Sequence, residues 1–135
     1  MNSKELWKIP VPSTAVGRAQ MLYAGADALL RFDYSDEAHN DMEFNTGIIF
    51  KTVFGFRHDS EGFAMTVMDA YDRLVEIVDS DWTAEYRKTN PRIANLFDIK
   101  HYAIFLKSCG LYEFISKDYT ILKVSEGDLN ELYFS

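Results

Sequence analysis

HYAIFLKSCGLYEFISKDYTILKV, residues 101–124, carries the clearest secondary-structure signal in the chain. Tyr102, Ile104 and Leu106 alternate with their neighbours, Ser108-Cys109-Gly110 supplies a turn, and Tyr112 and Phe114 resume the alternation. Lys117-Asp118 then turns the chain into residues 119–124. Period-two alternation punctuated by turn residues predicts an antiparallel three-strand meander with one wet face. The stretch holds no nucleophile motif, metal cluster or phosphate loop, so it speaks to architecture and not to chemistry.

Working back towards the N-terminus, residues 47–58 read as one long strand. Ile48, Phe50, Phe54 and Phe56 are expected on one face, with Lys51 and Arg57 on the other. Residues 18–23 and 28–34 read as a hairpin around Ala24-Gly25-Ala26-Asp27, which would gather Leu30, Phe32 and Tyr34 on one face. A helix over residues 15–26 competes, weakened by Gly17 and Gly25. Residues 63–69 and 71–78 read as two further strands on their density of β-branched residues, although Phe63, Val67, Tyr71, Leu74 and Val78 also fall at helical spacing. Helix signals gather at Ser80, a natural N-cap followed by Asp81 and later by Arg87 and Lys88, the charge order that suits the helix dipole. Asn90-Pro91 stops that helix, and Pro91 can open a second short one through Ile93, Leu96 and Phe97.

The expected fold class is α+β, mainly β: a single curved antiparallel sheet, or partly closed barrel, of about six to eight strands, with one or two short helices over an open end. At 135 residues the chain fits one domain, with residues 1–12 as an N-terminal arm and residues 125–135 as an acidic tail. Cys109 is the single cysteine, which excludes an internal disulfide and points to a reducing, cytoplasmic setting. No segment reads as a secretion signal or a membrane span. The formal charge of −7 disfavours nucleic acid and anionic membranes and suits a partner with a basic face.

Each chemical constellation also has a plainer explanation. Asp33, Asp36, Glu37, His39, Asp41 and Glu43 crowd one stretch, but an EF-hand count from Asp33 puts Ala38 where glycine belongs and Phe44 where the bidentate glutamate belongs. A solvated loop explains them, with an acidic interaction surface on Asp36, Glu37, Asp41 and Glu43 as the functional alternative. Asp69, Asp72, Glu76, Asp79 and Asp81 form a second acidic set; paired carboxylates in a dry pocket are how an acid and base are made, whereas surface charges offset by Arg73 or Arg92 are the ordinary outcome. His39, His58 and His101 show no ligand spacing, and Cys109 with His101 lacks the setting of a thiol nucleophile. Arg87, Lys88 and Arg92 could grip a phosphate, yet they suit the end of a helix. No metal, cofactor or catalytic residue is expected.

Arg31-Phe32-Asp33-Tyr34, Ala70-Tyr71-Asp72 with Leu74, Val75, Glu76, Ser80 and Trp82, and His101-Tyr102 with Gly110 and Glu113 form a discontinuous pattern. It resembles a group of small uncharacterised bacterial proteins, a resemblance that implies a bacterial origin and one compact domain and carries no activity. Two functional expectations follow. The first is a non-enzymatic interaction module, of the immunity or antitoxin-like kind, that covers a basic protein partner. The second is a small-ligand or enzymatic pocket inside the curved sheet, lined by Tyr71, Asp72, Glu76 and His101. A homodimer through a sheet edge is a further possibility of this architecture.

Overall fold

The computed structural model describes residues 2–60 and 70–129. Among the described residues, eight strands form one antiparallel sheet: β1 (Ser3–Lys8), β2 (Val16–Ala24), β3 (Asp27–Asp36), β4 (Met42–Asp59), β5 (Arg73–Ile77), β6 (Lys100–Leu106), β7 (Gly110–Ile121) and β8 (Ser125–Glu126). Their order is β1-β5-β6-β7-β4-β3-β2, with β8 added beside the start of β4. Two helices, α1 (Asp81–Thr89) and α2 (Pro91–Leu96), lie between β5 and β6. The sheet curls without closing, so that Trp7 on edge strand β1 meets Phe32 of β3 at a centroid separation of 6.3 Å although four strands separate them in the ladder.

The curl follows from which residues the pleat turns inward. Leu30, Phe32, Tyr34, Ile48, Phe50, Leu74, Tyr102, Ile104, Leu106, Tyr112 and Phe114 share the inner face and are buried. Phe50 and Phe114 stack at 3.8 Å at the centre. Each such side chain contributes about 1.5–3 kcal/mol when fully removed from water. The opposite face carries a smaller apolar group, Val75, Ile77, Ala103, Phe105 and Leu111. The helices also pack on that face, with Trp82 edge-on to His101, and Phe54 against Tyr86 and Phe97. They therefore cover a side of the sheet and not an open end.

Several expectations need correction. Residues 101–124 form two main strands and not three, because β7 runs unbroken through Lys117-Asp118. It pairs with β6 from Gly110 to Ser116, while its ladder with the long β4 extends to Ile121. The N-terminal arm is a strand, β1, paired to β5. Phe54 does not share the face of Phe50 and Phe56. A bulge between Val53 and Gly55 inserts Phe54 into the ladder and turns it to the helices. Thr52 at φ 55° begins the kink, tied where β3 starts: its N–H donates to Asp27 Oδ1 at 3.0 Å, and the Val53 N–H donates to the Ala26 carbonyl. Phe56 returns to the inner face, against Phe114.

The hairpin of β2 and β3 forms as expected, turning at Gly25 with φ 64°. Of residues 71–78, Arg73–Ile77 form β5 and none is helical, with Asp72 turned into the left-handed region; the expected strand at 63–69 lies outside the described residues, as do the last six residues of the tail. Ser80 caps α1 through Thr83 N–H, and Pro91 opens α2. No described helix is long and apolar enough to cross a membrane.

Candidate functional site

The inner face of the sheet runs out at the turn between β3 and β4. There Asp36 accepts the Ala38 N–H at 3.0 Å and holds a short 3-10 turn, Glu37–His39, with His39 Nδ1 2.8 Å from its other oxygen. Register places Tyr34 opposite Phe44 and Asp36 opposite Met42, so these four side chains share a face. The segment after β7 completes the wall. The amide of buried Asn45 donates to the carbonyls of Ser125 and Gly127, Thr46 donates to that of Leu122, and the Leu129 N–H donates to buried Asp33. These bonds hold β8 against β4 and put Glu126 opposite Phe44.

The result is a groove of about 360 Å³ lined by Tyr34, Asp36, His39, Met42, Phe44, Val124 and Glu126. Its walls are aromatic and aliphatic. Tyr34 and Phe44 stack at 5.8 Å, and His39 meets Phe44 edge-on. Met42 and Val124 are left 45% and 42% exposed, apolar surface that the described residues do not cover. Burial and then the charge of Asp36 push the Tyr34 phenol above its ordinary pKa, so it stays neutral. Of the acidic residues singled out from sequence, Asp36 lines the groove, while Glu37 and Asp41 stand exposed in the turn beside it. Glu43 belongs to the opposite face, near the Ser35 hydroxyl. Asp33 is buried, accepting from the Arg18 and Leu129 N–H groups, and forms no part of the acidic surface.

A second constellation lies under α1. The Ser80 hydroxyl is 2.7 Å from His101 Nδ1, His101 Nε2 is 2.8 Å from Glu113 Oε1, and Arg57 reaches the same carboxylate at 3.2 Å. The Arg57 guanidinium also lies 3.8 Å over the Trp82 ring. Burial pushes the Glu113 pKa up, but the hydrogen bond from His101 and the charge of Arg57 outweigh it and hold the group below its ordinary value. One proton arrangement satisfies the whole chain: Thr83 N–H donates to Ser80, Ser80 to Nδ1, and Nε2–H to Glu113. Ser80, His101 and Glu113 are 7%, 4% and 3% exposed. The hydroxyl proton and a lone pair of Ser80 are both committed, and the group ties the helix to β6 and β7. Sequence reading found Ser80 as a cap and His101 as a pocket candidate. Nothing in their spacing joined them to Glu113, because the contact is made across the β6–β7 ladder.

The proposed pocket of Tyr71, Asp72, Glu76 and His101 does not converge. His101 faces the helices, and Tyr71 stacks on Phe105 of the same outer face. Glu76 stands opposite Tyr102, whose ring lies in the inner core, and Asp72 accepts the Ser13 N–H from a backbone at φ 63°. His39, His58 and His101 are engaged separately, His58 stacking on Tyr112 and donating to the Cys109 carbonyl. Arg87 spends its guanidinium on the Ile99 carbonyl. Among the described residues no group of three or more His, Cys, Asp or Glu could hold a metal. Comparison with protein-family models, with curated proteins and with solved structures finds no match.

Proposed function

We propose that this protein is a non-enzymatic interaction module that captures a basic protein partner at the turn between β3 and β4, in the manner of a small inhibitor. The groove is the observation that carries the reading: uncovered apolar walls framed by Asp36 and Glu126, beside Glu37 and Asp41, on a chain of net charge −7. Apolar surface supplies affinity once buried, and the acidic frame supplies attraction at a distance and rejects acidic competitors. The test is capture from the source cell at low and high ionic strength, with the wild type beside Asp36→Lys/Glu126→Lys. Glu126 is exposed, but Asp36 also caps the Ala38 N–H, so the milder pair Asp36→Asn/Glu126→Gln, which keeps that oxygen and removes both charges, runs beside the reversal and separates lost charge from a lost turn. Capture of one basic protein that fades with salt and is lost in the variant supports the reading; capture indifferent to the charge reversal contradicts it.

A second reading rests on the Ser80–His101–Glu113 chain, whose residue types are those of a hydrolytic triad. The burial and double commitment of the Ser80 hydroxyl favour a structural role. A fluorophosphonate probe decides between them: the module leaves Ser80 unlabelled, and a stoichiometric adduct on Ser80 moves the proposal to a serine hydrolase.

A further inference from the structure

We propose, building on the interaction reading above, that the groove between Tyr34, Phe44, Met42 and Val124 is a seat for one arginine side chain of the partner. A long cationic side chain is amphipathic, with a methylene stem that seeks apolar cover and a head that seeks anions and aromatic faces. Both halves have a counterpart here. The exposed parts of Met42 and Val124 offer the stem a surface that nothing in the described chain occupies. The half-buried Phe44 ring, backed by the buried Tyr34 ring stacked on it, offers aromatic surface to a planar cation. Asp36 and Glu126 stand on the same wall, and among the described residues neither is ion-paired to a Lys or Arg.

Charge complementarity selects the occupant. His39 is the one cationic-type side chain lining the groove, 64% exposed and on Asp36, whereas Glu126 stands exposed opposite Phe44 and is ion-paired to no described residue. A guanidinium fits better than an ammonium because it is planar, stacks on rings and meets a carboxylate with paired N–H groups. The protein already makes one such arrangement with its own side chains, where Arg57 lies over the Trp82 ring while bonding Glu113. The groove repeats those components, aromatic surface and carboxylate, without a guanidinium.

The experiment titrates the intact protein with N-acetyl-arginine amide, following the methyl resonances of Met42 and Val124, with the lysine and citrulline amides as controls. A single side chain is expected to bind with Kd on the order of 1–10 mM. Saturable shifts with the arginine compound, weakened at least about fivefold by Asp36→Asn and by Glu126→Gln and at least about threefold with lysine, support the inference. Asparagine keeps the oxygen that caps Ala38, so the turn persists. Equal shifts with citrulline or lysine, or no saturable shift, overturn it. If the amides fail while partner capture still responds to the charge reversal, the arginine seat falls and the interaction reading stands. If both fail, both fall.

Discussion

Glu113 contributes to the acid sensitivity of the fold. Its folded pKa is depressed by His101 and Arg57, so the stability it contributes is fully present above its unfolded value and is lost as pH falls through the folded one. Glu113→Gln keeps the shape but removes the charge. It is expected to cost about 1–3 kcal/mol at neutral pH and to flatten the acid limb of stability against pH, both measurable by urea melts across a pH series. Ser80→Ala removes the α1 cap and leaves His101 Nδ1 without its donor, at about 2 kcal/mol in the same assay. Ser80 was legible as a cap because capping is local. Its second role was not, because His101 and Glu113 come to it from strands whose pairing the spacing of residues does not reveal.

At the scale of the element, β4 shows where period-two reading stops working. Alternation found its existence and put Ile48, Phe50 and Phe56 on the buried face. It misplaced Phe54, because a bulge held by Asp27 shifts the phase and leaves no mark in the pattern of apolar residues. The consequence is measurable: Phe50→Ala, fully buried, is expected to cost about 3–5 kcal/mol and Phe54→Ala about 1–2 kcal/mol, since Phe54 is half-buried against the helices. Equal losses in urea melts would put both rings in one core. The turn of the β6–β7 hairpin is equally strict. Gly110 sits at φ 107°, and a Cβ there would collide with the Asp59 carbonyl of β4, so Gly110→Ala is expected to cost at least about 2 kcal/mol. The turn expected at Lys117-Asp118 never forms, because β4 offers ladder partners out to Ile121 and an extended chain satisfies its backbone there.

Across the whole molecule, a curled sheet with one large inner core and two short helices follows from alternation, turn residues and caps that agree with one another, whereas the seat of the helices on the outer face and not over an open end does not. The acidic stretch was also visible, and Asp36, Glu37 and Asp41 do sit together at its turn. The groove was not, because Met42 and Phe44 join Val124 and Glu126 only through the pairing of β8 to β4, across some 80 residues of chain. Site-specific photo-crosslinking locates the partner on the protein surface. With the crosslinker at position 42 in the groove, and at exposed position 78 at the end of β5 as the control, the account predicts adducts to a basic protein from position 42 that disappear with Asp36→Lys/Glu126→Lys. Adducts from position 78 with none from position 42 would contradict it.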